Sequence, residues 1–301
     1  MRRLALIGVP SSAGARQTGQ EGGPSALRGA GLLGHLWARD LDVVDLGDLR
    51  PVTYSPDPEH SRHQNLGSVI EVAEQVAHRV DRALADHRLP LVLGGDCSLS
   101  LGVIAGLLRH HPRLGLMYFD ADIDLNTPET TSSGVFDGMV LAHALGLGEP
   151  DLAGIGPRRP LLSEQDIALF GYDADSGWID PPEVELLKSS KMSKYPLSRV
   201  RADPPAAAKE ALVGLESRSD AILVHFDVDV TDIPAADVHH PGGLDLDSAL
   251  SALRIFVAAR TCAALVVTEF NPLRDPDGSQ AERLVEGLVE ALTGETASPG
   301  S

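Results

Sequence analysis

The chain has 301 residues, 43% of them hydrophobic and 23% charged, which is enough to bury a full core as one large α/β unit. A formal net charge of −18 excludes nucleic acid and anionic membranes as natural partners, since both would be repelled, and favours cations such as metals and guanidinium groups. Only Cys97 and Cys262 occur, so a disulfide framework is excluded, and the opening apolar stretch is too short for a signal-peptide core or a membrane span, so a cytoplasmic location is expected.

In chain order, an apolar run at 4–9 precedes a helical pattern at 24–36, and a run at 41–46 precedes one at 65–87. A run at 89–93 leads to a helix over 99–110, followed by runs at 114–119 and 167–170 and a helix over 204–215. Runs at 221–226 and 263–268 lead to helices over 246–259 and 280–292. Continuously apolar strands suit a sheet buried on both faces, and strand–helix alternation implies parallel pairing through right-handed crossovers. The expected architecture is a single domain over residues 1–294, a three-layer α/β/α sandwich with a mainly parallel sheet. Segments 151–159 and 177–195 read as surface excursions, and the tail 295–301 is expected to be disordered.

Ligands of open parallel sheets collect beyond the carboxyl ends of the strands. Three such ends stand out: Gly94-Gly95-Asp96-Cys97-Ser98, Asp120-Ala121-Asp122-Ile123-Asp124-Leu125-Asn126, and Asp227-Val228-Asp229. A single Asp after a strand is usually a cap or turn residue. In an extended segment, however, residues i, i+2 and i+4 share a side, so Asp120, Asp122 and Asp124 are expected to converge, as are Asp227 and Asp229. Five converging carboxylates repel one another unless protonated or bridged by cations. Such a cluster suits magnesium, calcium or manganese, and two ions sharing carboxylates can turn one water into a nucleophile near neutral pH.

These three blocks resemble the signature motifs of the arginase (ureohydrolase) family, as do Gly22-Gly23-Pro24-Ser25-Ala26-Leu27-Arg28 and Thr268-Glu269-Phe270-Asn271-Pro272. The resemblance implies the family's eight-stranded parallel α/β/α sandwich, one or two manganese ions, a small-molecule guanidino substrate and a homo-oligomer, trimeric or hexameric. It implies Asp120, Asp124, Asp227 and Asp229 as metal ligands, with Cys97 and Asp122 completing the set. Segment 126–134 is closer to arginases than to agmatinases, so Asn126 and Ser133 are expected to hold an α-carboxylate and Glu269 to face the guanidinium. Across a gap, Asp175 matches the carboxylate that takes the α-amino group. Asp124 would orient the attacking water and Asp137 would carry a proton, or else serve as a helix N-terminal residue.

Three histidines implied by the resemblance are replaced, by Cys97, Asp122 and Asp137. Five carboxylates and a thiolate around two divalent ions leave a net charge of minus two where the usual set is neutral, which weakens Lewis acidity and raises the pKa of bound water. Thiolate also prefers softer ions than manganese. Cys97 therefore reads either as a ligand or as a small buried hydrophobe, and Asp122 as ligated, protonated or turned away. Cys97 in its Gly-Gly-Asp context also resembles the arginase-like enzymes that cleave Nω-hydroxy-L-arginine to hydroxyurea and ornithine. His225 reads as a packed core residue, His239 and His240 as loop residues that either replace the missing ligands or acid–base groups or are simply solvated, and His143 as a helix residue without an evident partner. The expected function is metal-dependent hydrolysis of an arginine-like guanidino or N-hydroxyguanidino acid to ornithine and urea or hydroxyurea. The alternatives are a non-catalytic member of the fold and a hydrolase of another guanidino compound, the latter through an altered pocket around Val135 and residues 173–178.

Overall fold

The computed structural model describes residues 2–177 and 179–294; the tail expected to be disordered lies outside them. Eight strands form one sheet: β1 (Arg3–Gly8), β2 (Asp42–Asp48), β3 (Leu89–Leu93), β4 (Leu114–Phe119), β5 (Ile167–Phe170), β6 (Ser193–Tyr195), β7 (Ala221–Asp227) and β8 (Cys262–Thr268). Their order is β2-β1-β3-β8-β7-β4-β5-β6, and every pairing is parallel. The sheet is thus wholly parallel. Its eighth strand, β6, lies inside the segment expected to be a surface excursion.

Among the described residues the helices are α1 (Gly23–Gly29), α2 (Leu32–Trp37), α3 (Leu66–Ala85), α4 (Ser100–Leu108), α5 (Val140–Ala144) and α6 (Pro150–Ala153). They continue as α7 (Pro181–Ser189), α8 (Leu197–Ala202), α9 (Pro204–Glu216), α10 (Leu246–Ala258) and α11 (Ser279–Thr293). The helix expected over 24–36 is two helices, because Gly31 adopts φ 89° and breaks the ladder between them. The other expected excursion, 151–159, contributes to α6, whose Leu152 and Ala153 are buried.

Two hydrophobic cores flank the sheet. Leu4, Leu6, Met117, Phe119, Val224 and Phe226 project into one, with helices α1, α2 and α8–α11. Ala5, Ile7, Leu116, Tyr118, Leu223 and Val266 project into the other, with α3–α7. All six residues of β4 and all seven of β7 are buried, which explains the apolar run in each, interrupted in β7 by His225 and closed by Asp227. From β1 the chain first moves outward to β2 and then returns to β3. From β4 it moves outward to β5 and β6 and returns to fill the centre with β7 and β8. The central carboxyl ends, β3, β8, β7 and β4, are therefore where the connections part and leave a crevice.

Candidate metal centre

The acidic motifs meet at that crevice. A cavity of about 50 Å³ is lined by Cys97, Asp120, Asp122, Asp124, Asp137, Asp227, Asp229 and Glu269, together with Arg16, Val135, Gly138 and Val238. All six expected metal-ligand positions thus line one space, with Asp137 and Glu269.

Turns, and not strand alternation, produce this convergence. The chain leaves β4 after Phe119, and Asp120 Oδ1 accepts the Asp122 N–H at 2.7 Å. Asp227 ends β7, and its Oδ1 accepts the Asp229 N–H at 2.7 Å. In each motif the first Asp spends one oxygen folding the turn and keeps the other for the cavity. Asp124 sits at φ 52° and Glu269 at φ 64°, left-handed conformations that cost energy in residues with a Cβ. The Tyr118 hydroxyl donates to Asp124 Oδ2.

The Gly94-Gly95 turn brings in Cys97. Asp96 N donates to Ser11 O at 2.9 Å, and Glu269 N donates to Gly95 O at 2.9 Å, so three strand ends are strapped together. A Cβ on Gly95 would lie 1.7 Å from Ser11 O. Gly95→Ala is therefore expected to cost about 3 kcal/mol or more, measured by urea unfolding, because backbone must move to admit it. Asp96 is consumed structurally, accepting from Ser98 N at 3.0 Å, Ser11 Oγ at 3.2 Å and Gly14 N at 3.2 Å.

Cys97 Sγ is buried and donates to Asp227 Oδ2 at 2.7 Å, with His225 Nε2 at 3.4 Å and Thr268 Oγ1 at 3.1 Å. Its thiol pKa is pushed well up by burial and then by Asp227. Asp120, Asp227 and Asp124 are all held well above the usual carboxyl range, first by burial and then by neighbouring carboxylates. Asp122 is raised to about 6, by burial and then Asp229. Asp137 and Glu269 are raised for the same two reasons. The donor set fits a divalent cation: Asp120 Oδ2, Asp122 Oδ1 and Glu269 Oε1 are buried without a hydrogen-bond partner, which is costly unless a cation supplies one.

The remaining expected residues divide. Asp137 accepts the Cys97 N–H on Oδ1 at 2.7 Å while lining the cavity. Glu269 Oε2 accepts from Gln20 Nε2 at 2.8 Å, leaving Oε1 free. Asn126 instead turns its amide nitrogen to Glu183 Oε1 at 2.6 Å and Asp180 Oδ2 at 3.0 Å, while its oxygen accepts from Thr130. The Ser133 hydroxyl bonds within its own loop, to Thr131 at 3.2 Å. Neither is among the cavity-lining residues. Asp175 is exposed in the loop after β5 and offers its backbone N–H to Asp173.

Two histidines depart from expectation, and a third keeps to it. His143 does have partners: Met139 O lies 2.8 Å from Nδ1, and Glu149 N donates to Nε2 at 3.0 Å. His240 is buried and not solvated, with Nε2 3.6 Å from Asp229 Oδ2, because Asp237 N bonds Glu269 O and draws the loop over the cavity. His225 is a core residue as expected, stacked on Tyr118 with centroids 4.3 Å apart, and burial pushes its pKa down to about 3. It also reaches the acidic cavity through Cys97. Arg16, at the cavity mouth, had no motif to announce it.

The fold is an all-parallel α/β/α sandwich whose central strand ends carry a buried acidic cluster with donor atoms suited to a divalent cation. The sequence profile of the Arginase family matches residues 2–294, and the chain belongs to that family. It is 32% identical to an arginase of Bacillus caldovelox over 98% of this chain and 99% of that protein. The crystal structure of the Bacillus caldovelox arginase superposes with a TM-score of 0.88 at 31% identity, covering 99% of this chain and all of that one. An Entamoeba histolytica arginase solved in complex with L-ornithine gives a TM-score of 0.88 at 25% identity, covering 98% of this chain and 100% of that one.

Proposed function

We propose that the protein is a metal-dependent amidinohydrolase that cleaves an arginine-like guanidino or N-hydroxyguanidino amino acid, releasing ornithine and urea or hydroxyurea. The observation that carries this reading is the cavity in which cation-seeking carboxylates face a further carboxylate oxygen, Glu269 Oε1, that has no partner of its own. Asp120, Asp122, Asp124, Asp227 and Asp229 would hold one or two divalent ions, manganese being the family's usual choice, with Cys97 beside them. When bound, such ions would supply a water nucleophile, activated less strongly than in a charge-neutral donor set.

The chain's own groups do the rest. Glu269 Oε1 receives guanidinium N–H groups, with Gln20 fixing the carboxylate's rotation through Oε2. Asp124, steadied by the Tyr118 hydroxyl, orients the attacking water. Asp137 commits Oδ1 to the Cys97 amide and leaves Oδ2 to deliver a proton to the departing amine; burial favours its protonated form. Arg16, exposed at the mouth, is the cation available to an α-carboxylate. Asn126 and Ser133 would join it only after releasing their present bonds, and Asp175 would have to fold inward to meet an α-amino group. A trimer or hexamer remains the family-based proposal for assembly.

The deciding experiment is release of ornithine from L-arginine and from Nω-hydroxy-L-arginine by metal-loaded protein, beside a panel of other guanidino compounds. Protein that takes up cations but turns over none of them would favour the binding-only reading, which the replacement of three histidines supports. Glu269→Gln is expected to lower kcat/KM about a hundredfold, because a charge-assisted contact worth roughly 2–3 kcal/mol becomes a neutral one, while cation content is unchanged.

A further inference from the structure

The Asp-rich motifs lack the two imidazoles that would balance their charge, yet two histidines from outside those motifs stand beside them. His225 precedes Asp227 by two residues on β7 and shares its face of the sheet. Its ring is held flat against Tyr118, 9° from parallel, and its Nδ1 lies 2.9 Å from Ser100 Oγ. That anchor aims Nε2 upward, 3.4 Å from Cys97 Sγ and 3.6 Å from Asp120 Oδ2. With Asp227, these residues offer one sulfur, one nitrogen and two oxygens, all within 4.8 Å of one another and all buried. Asp120 Oδ2, only 1% of whose residue is exposed, has no hydrogen-bond partner.

A second group lies nearer the loops. Asp122, Asp229 and His240 bring donor atoms within 4.8 Å of one another. His240 Nε2 and Asp122 Oδ1 are both buried without partners, and His240 is 7% exposed. A buried imidazole nitrogen facing carboxylates with no hydrogen bond to either is an unmet donor or acceptor.

Resting on the reading of this cavity as a cation site, we propose that His225 and His240 supply the imidazole donors of a two-ion centre, one to each ion. The inner ion is bound by Cys97, His225, Asp120 and Asp227, and is of zinc type, not manganese. The outer ion is bound by Asp122, Asp229 and His240, with the remaining carboxylates shared.

The donor chemistry decides the inner ion. Thiolate with imidazole selects zinc over harder ions, and zinc also binds such sites more tightly than manganese in the general order of divalent affinities. With Zn–S near 2.3 Å and Zn–N near 2.0–2.1 Å, neighbouring donors on a tetrahedron stand roughly 3.3–3.6 Å apart, the range of the sulfur–nitrogen and nitrogen–oxygen separations here. The shorter sulfur–oxygen contact is a thiol hydrogen bond. On binding, the Sγ proton leaves to solvent and the sulfur–metal bond replaces the S–H bond. The inner set then carries three negative charges against two positive.

The test uses the full chain, stripped with chelator under reducing conditions and reloaded with zinc, manganese or cobalt. Cobalt-loaded protein is expected to show a thiolate-to-cobalt charge-transfer band and visible bands of tetrahedral intensity. Cys97→Ser should abolish the former. Zinc should displace manganese from one of two sites with at least about a tenfold preference, and His225→Phe should weaken that site by about tenfold or more while His240→Ala weakens the other. Circular dichroism checks that each variant is folded, and the wild-type cobalt spectrum stands without any variant. Cation binding with no charge-transfer band, or with affinities untouched by both histidine changes, overturns the proposal and leaves the amidinohydrolase reading intact. A protein that binds no divalent ion overturns both.

Discussion

Asp227→Asn is expected to abolish uptake of at least one cation and to cut turnover by more than about a hundredfold, since even residues that only support a metal ligand are worth ten- to a hundredfold. The substitution separates ion binding from folding. Asp227 Oδ1 accepts the Asp229 N–H at 2.7 Å, and an asparagine oxygen can keep that bond and with it the turn. What changes is the atom facing Cys97 Sγ, now 2.7 Å from Oδ2, where an amide NH2 would offer hydrogens and no charge to a cation. Cation-free protein should be no less stable than wild type, because a carboxyl whose charged form is disfavoured by burial and by Asp229 has been removed. Metal analysis, steady-state turnover and a melting curve together read the result. Unchanged uptake with unchanged turnover would end the claim that the two acidic strand ends share an ion.

The framework of this site was legible in the chain because parallel strands buried on both faces advertise themselves. The runs 89–93, 114–119 and 167–170 coincide with strands, and 221–226 falls one residue short of β7. Strand β6 was not legible: Ser193-Lys194-Tyr195 is an edge strand of three residues, two of them half-buried and polar, with no apolar run to mark it. The carboxylates that would meet were visible from their motifs, though the extended geometry expected for them was wrong, since an Asp side chain capping its own turn cannot be told from an Asp in a strand by spacing alone. Asn126 was misleading for a different reason. Its partners, Asp180 and Glu183, lie more than fifty residues away on a segment that read as loop, and the Glu183 pKa, raised to about 7 mainly by burial, shows how deeply that segment packs. His240 likewise became a site residue only through the folding back of the 236–243 loop, where Ala236 bridges Phe270 and Gly243 N bonds His240 O.

Without divalent ions, the protein is expected to lose thermal stability as the pH rises from about 4 to above 6, contrary to the usual acid sensitivity of proteins. Asp122 shifts from 3.8 in the unfolded chain to about 6 when folded, and Asp120, Asp124 and Asp227 shift in the same direction through burial and mutual repulsion. A carboxyl whose folded pKa is raised binds its proton more tightly in the native state. Its contribution is therefore complete below the unfolded value and is lost as the pH climbs through the folded one. For Asp122 alone the loss is about 3 kcal/mol at 1.36 kcal/mol per pKa unit. His225, neutral in the fold with a pKa of about 3, works the other way below about pH 6.5, so the net fall rests on Asp120, Asp124 and Asp227 acting with Asp122. Saturating zinc or manganese should remove the loss at pH 7, since ions bind the deprotonated groups and stabilise only the folded state. The chain's net charge of −18 also disfavours compactness at high pH, but that surface repulsion is screened by salt, whereas the buried cluster is not. Melting curves from pH 4 to 8 in chelator, at low and high salt, then with added ion, isolate the cluster. Chelated protein whose Tm still rises from pH 6.5 to 8, above the range in which His225 acts, would mean that these carboxyls ionise freely when folded, and that no cation is needed to hold them together.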